Sequence, residues 1–300
     1  MPTSELERAR RAADITVTKR HESALGSWEM TLAKPASALR PYVREYCGWF
    51  EHMASPLCRR EPPTDIIPLI INFGAPVRVF DAGHIGDLTR WTDYDSFTTG
   101  PFDRVVLVGS AGPSGGIQVN LTILGARLFL GRPLHDLTNR LVGLDDLFGR
   151  AAATLVMQLY DAPTWDARFA ILDRMIAARI AAARAPCPAV LWTWRRLVET
   201  RGRIAIGTLV GEVGWSQKHL IAQFRDEIGL PPKTLARVLR FGHAVQLIKG
   251  GQARLVDVAN DCGYYDQAHF TRDVREFAGI TPSELLRSLM PDSGGFVVDR

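Results

Sequence analysis

Three hundred residues, 46% apolar and 23% charged, have the balance of a globular chain of about two domains with sizeable cores. No run of about 18 apolar residues occurs, so an ordinary transmembrane helix is excluded, and the polar stretch Met1 to Arg11 lacks the apolar core of a secretory signal. The cytoplasm is the expected compartment, and a net charge of only +4 permits nucleic-acid binding without arguing for it.

Residues 1 to about 25 read as a loosely ordered lead-in or a short helix. From Trp28 to Leu124 the signals are strand-like. Asp65 to Phe73 is a short apolar run ended by Gly74, followed by Val77, Val79 and Phe80, then by Val105 to Val108. Ile117, Val119, Leu121 and Ile123 alternate with Gln118, Asn120 and Thr122, the period of a strand with one buried face. Gly and Pro clusters at 74–76, 83–86 and 112–116 supply turns. Ser37 to Phe50 stands apart: Leu39, Tyr42, Val43, Tyr46 and Phe50 fall at helical spacing, which predicts a helix there. Trp28, Trp49, Phe50, Phe73, Trp91 and Tyr94 are candidates to line an apolar pocket, or simply belong to the core.

After Gly125 the period changes. Ala126 to Leu130 and Pro133 to Asn139 predict short helices, and Leu144 to Asp161 and Pro163 to Ala183 two longer ones. The longer pair suits either a helical hairpin that joins two subunits or packing on the sheet. Pro186 and Pro188 break the second long helix and mark the expected domain boundary.

Seven helices are predicted beyond it, at about 189–201, 205–212, 216–228, 232–249, 255–261, 266–277 and 282–289. They contain a repeat. Ile206, Leu209, Val210 and Val213 lead into Gly214, as Leu255, Val258, Ala259 and Cys262 lead into Gly263. The match continues from His219-Leu220, Phe224-Arg225, Gly229-Leu230, Pro232, Leu235 and Arg237 to His269-Phe270, Val274-Arg275, Gly279-Ile280, Pro282, Leu285 and Arg287. Short helix, Gly-containing turn and second helix make a helix-turn-helix, whose second helix can enter a DNA major groove. Ser216 and Asp266 suit N-caps, Gly229 and Gly279 helix ends, and Thr281-Pro282-Ser283-Glu284 a helix start. The 18 residues of 232–249 span about 27 Å, which with flanking turns can place two recognition helices roughly one DNA turn apart.

Gly263 to Arg272, followed by Phe277 to Glu284, resembles the signature of AraC/XylS-type transcription regulators. The upstream half, at Gly214-Trp215-Ser216, His219-Leu220, Phe224 and Gly229, fits it as well, so the resemblance covers about residues 188 to 290. It implies a sequence-specific DNA-binding domain acting on transcription, usually by contacting RNA polymerase. Residues 38 to 150 resemble the N-terminal domain of one branch of these regulators, at Asn72-Phe73-Gly74, Gly125-Ala126-Arg127 and Gly131-Arg132-Pro133-Leu134. That implies a regulatory domain and names no ligand.

The expected fold is α+β. Residues 1–185 form a strand-rich regulatory domain with flanking helices, and residues 186–300 an all-helical DNA-binding domain with helix-turn-helix motifs at about 205–228 and 255–277. Leu220, Phe224, Phe270 and Val274 are expected in the core, while Gln217, Lys218, Ile221, Ala222 and Arg225, then Gln267, Ala268, Thr271 and Arg272, face outward. Glutamine pairs with adenine edges and arginine with guanine, so Gln267 and Arg272 are the base readers of the second motif, and Lys218, then Gln217, those of the first. The family often has arginine where this chain has Ala222, which implies fewer base hydrogen bonds there and a thymine-methyl contact instead. Lys233, Arg237, Arg240 and Arg254, with the helix amide ends near Ser216 and Ser283, are the phosphate candidates. Arg237 and Arg287 share a repeat position, which an ion pair inside the domain would also explain. His219 and His269 occupy equivalent slots, suited to partial burial rather than to a metal.

Double-stranded DNA is the expected partner, with RNA polymerase, a small-molecule effector and a second copy as candidates. No cofactor, metal or membrane is expected, and no enzymatic activity. Gly112 to Gly116 lacks the lysine of a phosphate loop, and His21, His52, His84 and His135 show no metal-ligand pairing. Asp93, Asp95 and Asp103 read as solvated loop carboxylates. Cys47, Cys58, Cys187 and Cys262 form no CxxC pair and read as reduced structural thiols, the alternative being a sensor built on Cys47 and Cys58. A non-specific architectural DNA binder, a protein–protein adaptor and a small β-barrel enzyme in the front half are the alternatives.

Overall fold

The computed structural model describes residues 15–23, 26–55, 57–80, 89–110, 112–250, 254–290 and 295–298. Residues 1–14 of the expected lead-in, the turn at 83–86 with His84, Gly251 and Ser293-Gly294 lie outside them.

The described strands make two antiparallel sheets. One holds β1 (Ile15–Ser23), β2 (Gly26–Ala33), β3 (Val43–Met53), β10 (Ser114–Thr122), β5 (Ile66–Asn72), β8 (Phe97–Thr99) and β11 (Leu141–Gly143), in that spatial order. The other holds β12 (Phe296–Val297), β4 (Leu57–Glu61), β9 (Val106–Ser110), β6 (Val77–Phe80) and β7 (Trp91–Tyr94). At the middle of the larger sheet, β10 pairs with β3 on one side and β5 on the other. Its Ile117, Val119 and Leu121 are fully buried beside Val43, Tyr46, Leu69 and Ile71, as the alternation predicts.

Two expectations before residue 51 are corrected. Residues 15–23 are a strand, not a lead-in or helix. As an edge strand, β1 leaves Thr18, Arg20, Glu22 and Ser23 exposed and shows little apolar alternation. Ser37 to Phe50 is not a helix either: one 3-10 turn, Ser37–Leu39, precedes β3. The false period has a cause. Leu121 pairs with Val43 but Asn120 pairs with Glu45, so one extra residue, Arg44, sits in a bulge. Val43 and Tyr46, three apart, both turn inward. The ladders to β2 and β10 override the local pattern.

Out of β10 comes α1 (Ile123–Leu130), capped by Thr122 accepting from the Gly125 amide and buried along its whole length. The second predicted short helix is a 3-10 turn, His135–Leu137. The single helix expected over 144–161 is two, α2 (Leu144–Phe148) and α3 (Arg150–Asp161). Gly149, at φ 53° and ψ −134°, breaks it in a conformation that side chains disfavour. Next, α4 (Trp165–Ala182) lies back on the sheet: Phe169, Leu172 and Ile176 are buried, Trp165 covers Gly48, and Arg179 donates to the Phe129 carbonyl at 2.6 Å. Met157 and Tyr160 of α3 face solvent.

Seven described helices follow near the predicted bounds: α5 (Pro188–Glu199), α6 (Ile206–Val213), α7 (Gln217–Ile228), α8 (Pro232–Lys249), α9 (Leu255–Asp261), α10 (Gln267–Ala278) and α11 (Pro282–Arg287). Pro188, Pro232 and Pro282 stand in first turns, where the missing N–H costs nothing. One apolar core runs from the larger sheet through α4 into these helices. Three of the aromatic candidates meet different surroundings. Trp28 stacks on His21, Phe50 is 46% exposed, and the exposed Trp91 lies under Arg78.

Gly229 ends α7 at φ 90°, and a Cβ there would come within 2.5 Å of Pro101 Cγ and 3.0 Å of Thr138 Oγ1. Gly229→Ala should lower stability by about 1–3 kcal/mol. In urea the midpoint should fall with the slope unchanged; an unchanged midpoint refutes this.

Candidate nucleic-acid interface

Each helix-turn-helix is built from local signals. In the first, α6 ends at Gly214 (φ 73°), and Ser216 accepts from the His219 amide at 3.2 Å to start α7. In the second, α9 passes through Cys262 and Gly263 (φ 74°), and the Asp266 carboxylate accepts from the His269 amide at 2.7 Å to start α10. The negative cap also suits the positive end of the helix. Beyond α10, Thr281 and Glu284 form a capping box.

These caps fix which faces turn inward. Leu220, Phe224, Phe270 and Val274 are fully buried, as expected. Gln217, Lys218, Ala222 and Arg225 are exposed on α7, and Gln267, Ala268 and Arg272 on α10, while Ile221 and Thr271 are half-buried. Gln267, Ala268, Thr271, Arg272 and Arg275 line one shallow, open concavity. Arg275 was not among the expected outward residues. The signal was present, because the repeat pairs it with Arg225.

The phosphate candidates separate. Lys233 is exposed at the start of α8. Arg254 is exposed and pairs with Asp257 at 3.2 Å. Arg240 is half-buried, donates to the Gly202 carbonyl at 2.7 Å and lies over the Tyr264 ring. Arg237 differs most. It donates to Asp273 at 2.8 Å and to Glu276 at 2.9 Å, with a further short contact to Glu276, and stacks 4.9 Å from the Phe277 ring centroid. Its donors are engaged by carboxylates of α10, the ion pair inside the domain that its repeat position also suggested. The intradomain ion pair is not shared by the repeat: Arg287 donates to the Ser283 carbonyl instead.

Charge and burial set the ionisable groups around the motifs. Hydrogen bonding to Arg237 holds the Glu276 carboxyl below its ordinary value. Burial, reinforced by Asp273, pushes the Tyr264 hydroxyl up. His219 is exposed beside Trp215, and His269 is half-buried with its ring edge-on to Tyr264. Among the described residues, no three His, Cys, Asp or Glu side chains converge as metal ligands. All four cysteines are free thiols. Burial raises Cys262 to about 11 and Cys47 to about 12, and a thiol held protonated is a poor nucleophile, which speaks against Cys47 as the attacking thiol of a sensor.

Comparison with known proteins bears on the same region. Residues 209–288 match the family model described as a helix-turn-helix domain. The HTH-type transcriptional activator RhaR of Klebsiella pneumoniae is 28% identical over 140 residues, 46% of this chain and 44% of that protein. The F1 operon positive regulatory protein of Yersinia pestis is 30% identical over 81 residues, 27% of each chain. The chain thus covers less than half the length of either relative. A crystal structure of ToxT from Vibrio cholerae aligns with 81% of this chain and 98% of its own, at 11% identity and a TM-score of 0.49. Among the described residues, no helix is long and apolar enough to cross a membrane.

Proposed function

We propose, with residues 209–288 an AraC/XylS-type helix-turn-helix domain, that this chain is a sequence-specific DNA-binding transcription regulator. One observation carries the proposal: two capped recognition helices keep their apolar faces buried and present Gln217, Lys218, Ala222 and Arg225, then Gln267, Ala268, Thr271 and Arg272, on the other side. Glutamine and arginine in a major groove read adenine and guanine, and Lys233 anchors a phosphate. Residues 186–300 are the DNA-binding part and residues 1–185 the regulatory part, operating in the cytoplasm. Two relatives are named an activator and a positive regulator, which favours activation through RNA polymerase. Control by an effector or a partner at the front unit is supported by that unit's contacts with both motifs. Pairing of two copies is supported by the exposed Met157 and Tyr160 on α3.

Footprinting of the full chain on DNA flanking its own coding region, across a salt series, tests the proposal. Protection of two adjacent major-groove segments, kept over random DNA as salt rises, is expected. Uniform coating of any duplex would favour an architectural role, and no binding at any salt would end both.

A further inference from the structure

We infer that the front unit holds both recognition helices by their carboxyl ends, Arg127 gripping α7 and Arg60 gripping α10, and so sets the pose of one reading head relative to the other.

Each grip is a buried arginine, and the two come from unrelated elements. Arg127 of α1 is only 4% exposed, and its Nε donates to Glu227 in the last turn of α7 at 2.5 Å. The same front segment takes more of that turn. The Leu134 amide donates to the Glu227 carbonyl at 3.3 Å, the Thr138 hydroxyl to the Gly229 carbonyl at 2.9 Å, and His135 Nδ1 lies 3.0 Å from Asp226 Oδ1. The last carbonyls of a helix have no partners within it, so the Leu134 amide meets a standing need at Glu227.

At the other motif, Arg60 of β4 is 6% exposed and donates to the carbonyl of Ala278, the last residue of α10, at 2.6 Å. A cation at a helix carboxyl end is favoured by the dipole, and a buried guanidinium is costly without a partner. The chain's own tail closes over this grip. In β12, Phe296 lies opposite Arg60 in register and is buried in the main core. Val297 packs with Trp28, Met53 and Met290, and Val298 with Cys58, Val105 and Leu107. The Val298 amide donates to the Cys58 carbonyl at 2.9 Å. Three consecutive tail residues thus fill three apolar clusters, two of them formed largely by the front unit.

Both grips act at the end away from the N-terminal reading residues. The heads are held without being covered, and the connector α8 need not set their relation alone. A change in the front unit that moved α1 against β4 would move one head against the other. That consequence rests on the DNA-reading proposal, whereas the grip itself does not.

The test measures the grip without DNA first. With Cys47 and Cys187 changed to serine, spin labels at the exposed positions Gln223→Cys and Tyr265→Cys should give one narrow distance distribution in the full chain. Arg60→Met, and Arg127→Met separately, should broaden it, while Arg60→Lys, which keeps a donor, should stay near the parent. Removal of residues 295–300, or Phe296→Ala, should broaden it as Arg60→Met does, which covers the case in which Arg60→Met fails to fold. Unchanged distributions in the folded variants overturn the grip. The second arm uses a duplex selected by the full chain and the same duplex with a few base pairs inserted between the two contacted segments. The parent should discriminate by about tenfold or more, and the broadened variants should lose most of that preference. Broadening without such a loss overturns the link to reading. A chain that binds no duplex leaves the distance result standing and fails only the functional proposal.

Discussion

Arg237→Ala should unfold the second helix-turn-helix more readily than any surface substitution, at a cost of about 3 kcal/mol. The reason is what it leaves behind. Asp273 is 2% exposed on the core side of α10, and Arg237 is the cation that reaches it. Without the guanidinium, that carboxylate sits beside the Tyr264 hydroxyl, itself pushed up by burial. A buried charge stripped of its partner costs far more than a surface pair is worth. Arg237→Lys should recover only part, because an ammonium cannot fork across Asp273 and Glu276.

The same site gives a pH signature with a definite sign. The hydrogen bond from Arg237 lowers the Glu276 carboxyl in the folded chain. A carboxyl depressed on folding contributes stability above its unfolded value, and that stability is lost as pH falls through its folded value. Arg237, raised chiefly by the same bond, stays charged throughout. Urea unfolding should therefore show the largest gap between parent and Arg237→Ala at neutral pH. The gap should narrow toward about pH 3, below the ordinary carboxylate range. A gap independent of pH would refute the assignment of this pH dependence to the Arg237–Glu276 pair.

Arg272→Ala should cost about 1–3 kcal/mol at one base position of the recognised duplex and little at the others. Arg272 is exposed on α10, in the concavity it shares with Gln267, Thr271 and Arg275. Lys233→Ala should behave differently. Lys233 lies outside the recognition helices, in the first turn of α8, so it should weaken all sequences alike and lower the salt slope by about one counterion. Titrating both variants against the selected duplex, single-base variants and random DNA separates the roles. Equal losses on every duplex for Arg272→Ala would strip it of base reading.

Much of the C-terminal architecture was legible because its determinants are local. Ser216, Asp266 and Thr281 each satisfy an amide within one turn, and Gly214, Gly263 and Gly279 each take a left-handed backbone. Neither depends on anything distant. The front half was less legible. Its central strand β10 was plain from alternation. But the bulge at Arg44 gave β3 a helix-like spacing, and the edge strand β1 carried almost no pattern. Arg237 shows the same limit at a single residue: its repeat position suggested both a phosphate and a carboxylate partner, and only the packing of α8 on α10 chose between them.

By itself the sequence determined the seven C-terminal helices, the two motifs and the buried residues Leu220, Phe224, Phe270 and Val274 of their second helices, because helix periodicity, caps and turn glycines act over a few residues. The tertiary structure alone decided that Arg60 reaches Ala278 across 218 positions, that Arg127 meets Glu227 across 100, and that Phe296 and Val297 become an edge strand of the front sheet. A two-residue strand has no period to read, and a buried arginine finds its acceptor only when distant elements pack. Such pairings are properties of the assembled core, not of any local stretch of chain.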